Sequence, residues 1–410
     1  MARFDAPARR PRVLILDGHS KAAAACVVAL AHDCEVDVAS SRVPCVAQAS
    51  PRVAERLLQP DNPEQLIAWV QALHERVGYD LIVPATEAAL AGLKSHNLSP
   101  ELRARMVLAD EASLDIALDK HRTWAVAKEL GIPVPDGTVV ERGDPLPPAP
   151  RYPVVIKPLS SKKLINGRVQ PLDVRICADA AERAAAYREL LPHTAVMEQS
   201  YFGGRGVGVE MLFEHGEPRW TFAHQRVHEM PVTGGASTYR RAIRPPEGVR
   251  AAAVALLRRL RWHGAAMVEF KVAEDGSFRL MEINPRLWGS LPLAVAAGVN
   301  FPRGLLDLAM GRPLAPQPRY RQFLHMRDLG ADLQWFAQSR PSRVHPLAVK
   351  KLGLDDVLGL LRPLAGLERW DLFSWREPQM WVALTRTPLR ELAQGLRRRV
   401  GLATASAASR

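Results

Sequence analysis

The chain has few cysteines, four in 410 residues, and Cys26, Cys34, Cys45 and Cys177 contain no CxxC pair. Such spacing resembles neither a zinc site nor a disulfide framework in a chain of this size. Structural thiols in a reducing compartment, the cytoplasm, are expected. Long apolar runs are also missing. The stretch "KAAAACVVALA" (21–31) is preceded by Asp17 and His19 and opens on Lys21, and nothing approaches the ~20 apolar residues that cross a bilayer, so neither a signal peptide nor a transmembrane segment is expected. No GxGxxG follows the first strand-like segment, which removes the usual sign of a bound dinucleotide. Aromatic residues are only 6% and are not interleaved with the dispersed basic ones; net charge is then the sole pointer to nucleic acid, and none is expected as a partner. No Ser/His/Asp or Cys/His grouping demands a nucleophilic mechanism.

What is present is an ordinary globular composition, 47% apolar and 24% charged, long enough for two or three domains with sizeable cores. Lys and Arg number 55 against 43 Asp and Glu, a formal charge of +12. That excess favours anionic ligands such as nucleotides, acidic metabolites or lipid head groups.

Strand-like "RVLILDG" (12–18), "CEVDVAS" (34–40) and "YDLIVPAT" (79–86) alternate with helical stretches, one of them "PEQLIAWVQALHERVG" (63–78). This alternation predicts a parallel α/β sheet, a Rossmann-like subdomain over residues 1–115. A single helix is expected in "LDKHRTWAVAKELG" (118–131), with Leu118, Trp124, Ala127 and Leu130 on one face and Gly131 and Pro133 as its stop. The polar stretch "SSKKLINGR" (160–168) reads as a mobile loop between the strands "YPVVIKP" (152–158) and "TAVMEQS" (194–200). Further on, "GVGVEMLF" (206–213) alternates as a hairpin partner, and "GAAMVEFKV" and "SFRLMEINPR" form two strands about the turn "AEDG" (273–276). Beyond about residue 330 no strand-rich pattern remains. "PLRELAQGLRRRVGL" (388–402) reads as a basic amphipathic helix with Leu389, Leu392, Ala393, Leu396 and Val400 on its apolar stripe and Arg390, Arg397 and Arg398 off it. A packed helix with a solvated basic face and a membrane-surface or partner helix both fit that pattern. The tail "ATASAASR" is expected to be disordered.

Strand parity places Glu269 and Lys271 on one face, with Val268, Phe270 and Val272 on the other. The same parity pairs Glu282 with Asn284 and puts Met281 and Ile283 opposite. Two neighbouring strands would then present Glu269, Glu282 and Asn284 to one cavity, an oxygen-donor set that suits octahedral Mg2+ (or Mn2+). Arg286, just beyond, carries a planar fork for a phosphoryl group.

At this point "VEFKVAEDGSFRLMEINPRLWGS" resembles the metal-binding end of the ATP-grasp superfamily, in the branch around the carbamoyl-phosphate synthase large chain and the carboxylate-amine ligases. "LDKHRTWAVAKELGIPVPDG", "YPVVIKP", "AVMEQSYFGGRGVGVEM" and "HEMPVTGGAST" resemble, in order, that superfamily's opening segment, lysine strand, adenine hinge and acceptor segment. The resemblance implies an α/β (α+β) ATP-grasp fold with an N-terminal Rossmann-like subdomain. It divides the chain into 1–115, an ATP-grasp domain at 116–315 with its lid at about 120–200, and a small C-terminal domain at 316–410. It implies ATP and Mg2+ as cofactors. Lys120 and Lys157 would bind phosphates, with Lys157 and Arg286 also in catalysis. Ser160 and Ser161, with Lys162 and Lys163, would cover the triphosphate in place of a glycine-rich cradle. Glu198, Gln199, Ser200 and Tyr201 would frame the adenine, largely through their backbone, and Glu210 would make a polar contact in the same pocket.

The implied reaction is phosphorylation of a carboxylate by ATP, then attack of an amine on the acyl phosphate, releasing ADP and phosphate. His224, Arg226 and His228 fall at alternate positions and would bind the acceptor carboxylate from one strand face, opposite a solvated-strand reading of the same pattern. Thr233, Gly234 and Gly235 would bring backbone N–H groups close to a phosphate or carboxylate. Two rival readings stay open: a carbamoyl-phosphate-synthase-like or carboxylase-like enzyme, and an ATP-binding regulatory protein without turnover. Small-molecule carboxylate and amine substrates are the expected partners, and a homodimer is compatible with the resemblance.

Overall fold

The computed structural model describes residues 9–93, 98–148, 150–159, 172–339, 348, 350–386 and 388–389, together with the backbone of 162–165 and 168–171. Ser160, Ser161, the side chains of Lys162 and Lys163, and nearly all of the basic C-terminal stretch and its tail therefore lie outside the described residues.

The first sheet is parallel, in the order β3-β2-β1-β4, from β1 (Arg12–Ile15), β2 (Glu35–Ser40), β3 (Val53–Leu58) and β4 (Leu81–Val83). Its central strands read as continuous apolar runs because helices cover both faces: Val13, Leu14, Ile15, Leu81 and Ile82 are fully buried. β3 was not visible in the sequence. It is an edge strand whose pattern, one buried residue followed by mainly exposed ones, carries no apolar run. α1 (Lys21–Leu30) starts where the Ser20 hydroxyl accepts the Ala23 N–H. It is nearly all small and buried because it lies between this sheet and later helices. α2 (Pro63–Val77), α3 (Glu87–Leu93) and α4 (Pro100–Ala104) complete the layer.

The helix expected across 118–131 is two helices, α5 (Glu111–Leu118) and α6 (Lys120–Glu129). Asp119 divides them. Its extended backbone ends α5, and its carboxylate accepts the N–H groups of His121 and Arg122 at the start of α6. A local side-chain cap thus overrides the apolar spacing. Thr123 and Ala127 form the buried face, while Leu130 is exposed.

A second, antiparallel sheet runs β5-β10-β6-β9, from β5 (Gly137–Val140), β6 (Val154–Pro158), β9 (Arg175–Cys177) and β10 (Val196–Ser200), with α7 (Ala180–Leu190) against it. The stretch read as a loop forms a ribbon instead: β7 (Lys162–Ile165) pairs antiparallel with β8 (Arg168–Pro171).

The third sheet has seven strands in the order β15-β14-β11-β12-β13-β16-β17. These are β11 (Arg205–Glu214), β12 (Glu217–Met230), β13 (Ala236–Ala242), β14 (Gly264–Val272), β15 (Phe278–Asn284), β16 (His325–Arg327) and β17 (Arg369–Trp370). Its odd-numbered β11 residues Val207, Val209 and Met211 join Val268 and Phe270 in a core closed by α8 (Glu247–Arg259) through Val249, Ala253, Leu256 and Leu257. The opposite face carries Gly206, Gly208 and Glu210, and beyond them Leu212 packs with Trp220 and Phe222 in another core. α9 (Leu291–Ala297) and α10 (Phe301–Ala309) pack on α1, with Trp288 and Phe301 edge to face at 5.1 Å. α11 (Leu329–Gln338) and α12 (Leu354–Gly359) follow. Strands were not expected in this last region; β17 is two residues long and pairs parallel with β16, too short to leave a period in the sequence.

Candidate functional site

Between the second and third sheets lies a cavity of about 480 Å³. β14 and β15 are paired so that Glu269 faces Glu282 directly and Met267 faces Asn284. The Asn284 amide donates to Glu269 Oε1 at 3.0 Å and reaches Glu282 Oε1 at 3.4 Å. The three expected metal ligands therefore share one wall of the cavity. One parity expectation fails: the ladder shifts after Glu269, where Phe270 pairs with Leu280, so Met281 is the extra residue of a bulge. A bulge breaks the alternation of faces, and Met281 lines the cavity beside Glu282 instead of facing the core.

Two neighbouring carboxylates need a cation. Burial, the larger effect, and the Glu282 charge push the Glu269 carboxyl above its ordinary value, while Arg226 pulls it down. Arg226 reaches Glu269 Oε2 at 2.5 Å and Glu229 at 3.7 Å, and donates to the Gly235 carbonyl at 2.8 Å. Its guanidinium, expected on an acceptor carboxylate, is thus engaged by the wall itself. Two carboxylates and an amide oxygen are a hard donor set, and the remaining positions of a magnesium ion are ordinarily filled by water and phosphate oxygens; the residues fit Mg2+. Among the described residues no group of three or more His, Cys, Asp or Glu side chains gathers as a metal site.

The opposite wall comes from the second sheet and α6. Lys157 on β6 and Lys120 at the first position of α6 both line the cavity. Burial holds the Lys157 ammonium down to about 8; Glu282 pulls it up and Lys120 pushes it further down. Beside them Val155, Ile176, Tyr201 and Phe202 make an apolar stretch next to Gln199 and Ser200 of β10. A flat ring with polar edges suits such a slot.

Glu198 does not take part through its side chain. Strand parity turns it to the α7 side, where its carboxylate accepts from Arg183 at 2.7 Å and from the Tyr187 hydroxyl at 2.6 Å. Glu210 is likewise not on the cavity wall. It is fully buried, 2.5 Å from His224 Nδ1 and 3.4 Å from Ser290 Oγ. Burial raises the Glu210 carboxyl well above its ordinary value, and burial followed by Arg226 and Arg240 lowers His224 well below its own. His224 lines the cavity, and its Nε2 has no partner among the described residues.

His228 was expected beside His224 and Arg226. The ladder between β12 and β13 shifts on both sides of it, and the bulge sends it to the other face. There it lies at 0% exposure, 2.8 Å from Asp332 Oδ1, 3.1 Å from Asp356 Oδ1 and stacked on Trp335 at 3.6 Å. The turn at Thr233–Gly235 does line the cavity, but its N–H groups are not all open: Gly234 N–H donates to the Pro231 carbonyl and Gly235 N–H to Glu229 Oε2. Arg286 lines the cavity with its fork on Glu87 of α3 at 3.1 Å and on the Leu287 carbonyl.

Glu229, Ser290 and Lys21 also line the cavity and were not singled out by the sequence. Glu229 is buried between Lys271 at 3.3 Å and Arg226; the parity of Lys271 with Glu269 was the available signal. Ser290 follows the motif directly. Lys21, 2.9 Å from both Asp328 and Asp371, had no signal at all, since its partners lie some three hundred residues away.

The lysine-bearing antiparallel sheet and the acid-bearing third sheet close on one cavity with the parallel sheet's layer beside them, which is the ATP-grasp fold, and the chain is similar to proteins of the ATP-grasp superfamily. A family model described as ATP-grasp in the biosynthetic pathway with Ter operon matches residues 192–329, the span from the hinge through β16. The chain is 27% identical over 239 residues to the carbamoyl phosphate synthase large chain of Gemmatimonas aurantiaca, covering 55% of this chain and 20% of that one. It spans a smaller share still of other curated relatives. Among solved structures, N5-carboxyaminoimidazole synthetase from Staphylococcus aureus matches with a TM-score of 0.59 at 14% identity over 82% of this chain and 86% of that one. L-amino acid ligase from Bacillus licheniformis matches with 0.55 at 16% identity over 74% of each.

Proposed function

We propose that the protein is an ATP- and magnesium-dependent ligase that activates a carboxylate as its acyl phosphate and joins it to an amine, releasing ADP and phosphate. The observation that carries this reading is the convergence on one cavity of Lys120 and Lys157 from one side and Glu269, Glu282 and Asn284 from the other. The names of the ligase and synthase relatives agree with it.

In this reading the apolar stretch at Val155 and Ile176 receives the adenine, and Gln199 to Tyr201 meet its polar edge. Lys157 and Lys120 hold the phosphates. Glu269, Glu282 and Asn284 hold magnesium, which supplies charge neutralisation to the phosphate oxygens when bound. Arg286, oriented by Glu87, faces the transferred phosphoryl group. Positioning and charge are what such a transfer requires of the protein, and the cavity provides both. His224, backed by Glu210 and near Ser290, stands in the same cross-strand row as Glu282, Glu269 and Gly208 and meets the acceptor end of the substrate.

The test is release of ADP and phosphate by the purified protein with MgATP, screened against pools of amino acids and small carboxylic acids. Release that requires one acid and one amine establishes the ligase. ATP binding without release in any pool overturns it in favour of a regulatory ATP-binding protein. Release that requires bicarbonate moves it to the carbamoyl-phosphate or carboxylase class.

A further inference from the structure

Residues 354–367 have an inverted pattern of burial. Leu354, Leu358, Leu361, Leu364 and Leu367 are between 52 and 73% exposed, and Val357 is exposed beside them. Asp356 within the stretch and Glu368 just after it are buried. Leu354, Leu358, Leu361 and Leu364 are also aligned. Leu361 N–H donates to the Leu358 carbonyl and Leu364 N–H to the Leu361 carbonyl, both at 3.1 Å, and turns of this i to i+3 kind stack side chains three apart. Leu354 continues the row by one α-helical turn.

The outward direction is imposed by the inner face. Asp356 bonds His228 and Lys350. Glu368 bonds the Tyr239 hydroxyl and pairs with Arg327 at 3.6 Å and Arg362 at 3.4 Å. Turning the leucines inward would strip these buried carboxylates of their partners, which costs more than the leucines would gain. A fixed, contiguous apolar face of this kind marks a contact surface.

Charge selects the partner. Exposed Lys351, Arg362 and Arg369 are set among or beside the leucines in the chain, against the single exposed acid Asp355. Two copies meeting through this face would bring basic rims together. An anionic bilayer meets both demands, taking leucines at the acyl boundary and arginines and lysines at the head groups. Trp375, 87% exposed shortly after, is a residue type that prefers that boundary. We infer that the leucine stripe at 354–367 docks the protein on the surface of an anionic membrane. This inference does not rest on the ligase reading.

The experiment is flotation of the full chain with vesicles of mixed phosphatidylglycerol and phosphatidylcholine, and with pure phosphatidylcholine vesicles, at low and high salt. Binding to the anionic vesicles that weakens with salt, and falls by about tenfold or more in a Leu358→Ser/Leu361→Ser/Leu364→Ser variant, is expected. The variant should keep its melting temperature, because the three side chains are exposed. No binding to anionic vesicles, or binding the variant retains, overturns the inference. So does a native dimer that the variant dissolves, which would assign the stripe to a second copy.

Discussion

At the scale of single residues, Lys157 shows how burial sets chemistry. Its ammonium lies at about 8, against an ordinary 10.5, so part of its charge is lost at mildly alkaline pH. A bound triphosphate favours the charged form, and ATP binding should therefore take up protons at pH 8.5, between the two values. Calorimetry in two buffers of different ionisation heat measures this. Lys157→Arg, which stays charged, should abolish the uptake, and equal heats for the native protein would remove Lys157 from the phosphates. Glu282→Gln keeps the volume and removes one of the two carboxylates that face each other. Magnesium-dependent ADP release should fall by ~100-fold or more, about 3 kcal/mol of barrier, with the melting temperature nearly unchanged. Unaltered release would sink the metal assignment.

At the scale of elements, "GVGVE" (206–210) has a function that its glycines alone do not announce. Gly206 and Gly208 lie on the cavity face of β11, beneath side chains from β12. A Cβ at Gly208 would lie 2.5 Å from His224 Cε1 and 3.0 Å from Met267 Sδ, and one at Gly206 would lie 2.6 Å from Arg226 Cδ. The two gaps let His224 and Arg226 extend across β11 towards the acids of β14. Gly208→Ala should therefore cost about 1–3 kcal/mol from overpacking, seen as a lowered melting temperature, and should displace His224. A variant as stable as the native protein would show that the imidazole does not need that gap. The bulges at Met281 and around His228 act at the same scale, each reversing which side chain reaches the cavity.

At the scale of the molecule, the N-terminal helix α1 is tied to the far end of the chain. Lys21 bridges Asp328 and Asp371, and Arg240 reaches Asp371 at 2.5 Å, all largely buried. Asp371→Asn leaves two cations short of their shared partner and should cost about 3–5 kcal/mol, measured by denaturant unfolding. A loss below ~1 kcal/mol would show the cluster to be as weak as a surface pair. For Asp371 burial acts upward, but Arg240 and Lys21 outweigh it and its pKa is lowered; for Asp332 burial is likewise outweighed, by His228 and Arg327. A depressed folded pKa contributes stability above the ordinary aspartate value, and that contribution is lost as pH falls through the folded one. Acid unfolding below about pH 4 should accordingly be shallower in the Asp371→Asn variant.

The sequence by itself determined the parallel first sheet and the hairpin of Glu269, Glu282 and Asn284, and its motifs resembled those of the ATP-grasp fold. The sheet and the hairpin depend on local period: alternation places side chains on a face wherever the strand is regular. It also named Lys120, Lys157 and Arg286, which line the cavity. Tertiary structure alone decided the rest. The side chain of Glu198 turned to α7, and Glu210 went beneath His224 instead of onto the wall. His228 crossed to the opposite face at a bulge, a register shift that no alternating pattern records. Lys21 came to the cavity and Glu87 to Arg286 from the first sheet's layer, and Glu229 came from between Arg226 and Lys271. Each of these depends on which partner lies opposite after folding, a relation between distant residues that local spacing does not carry.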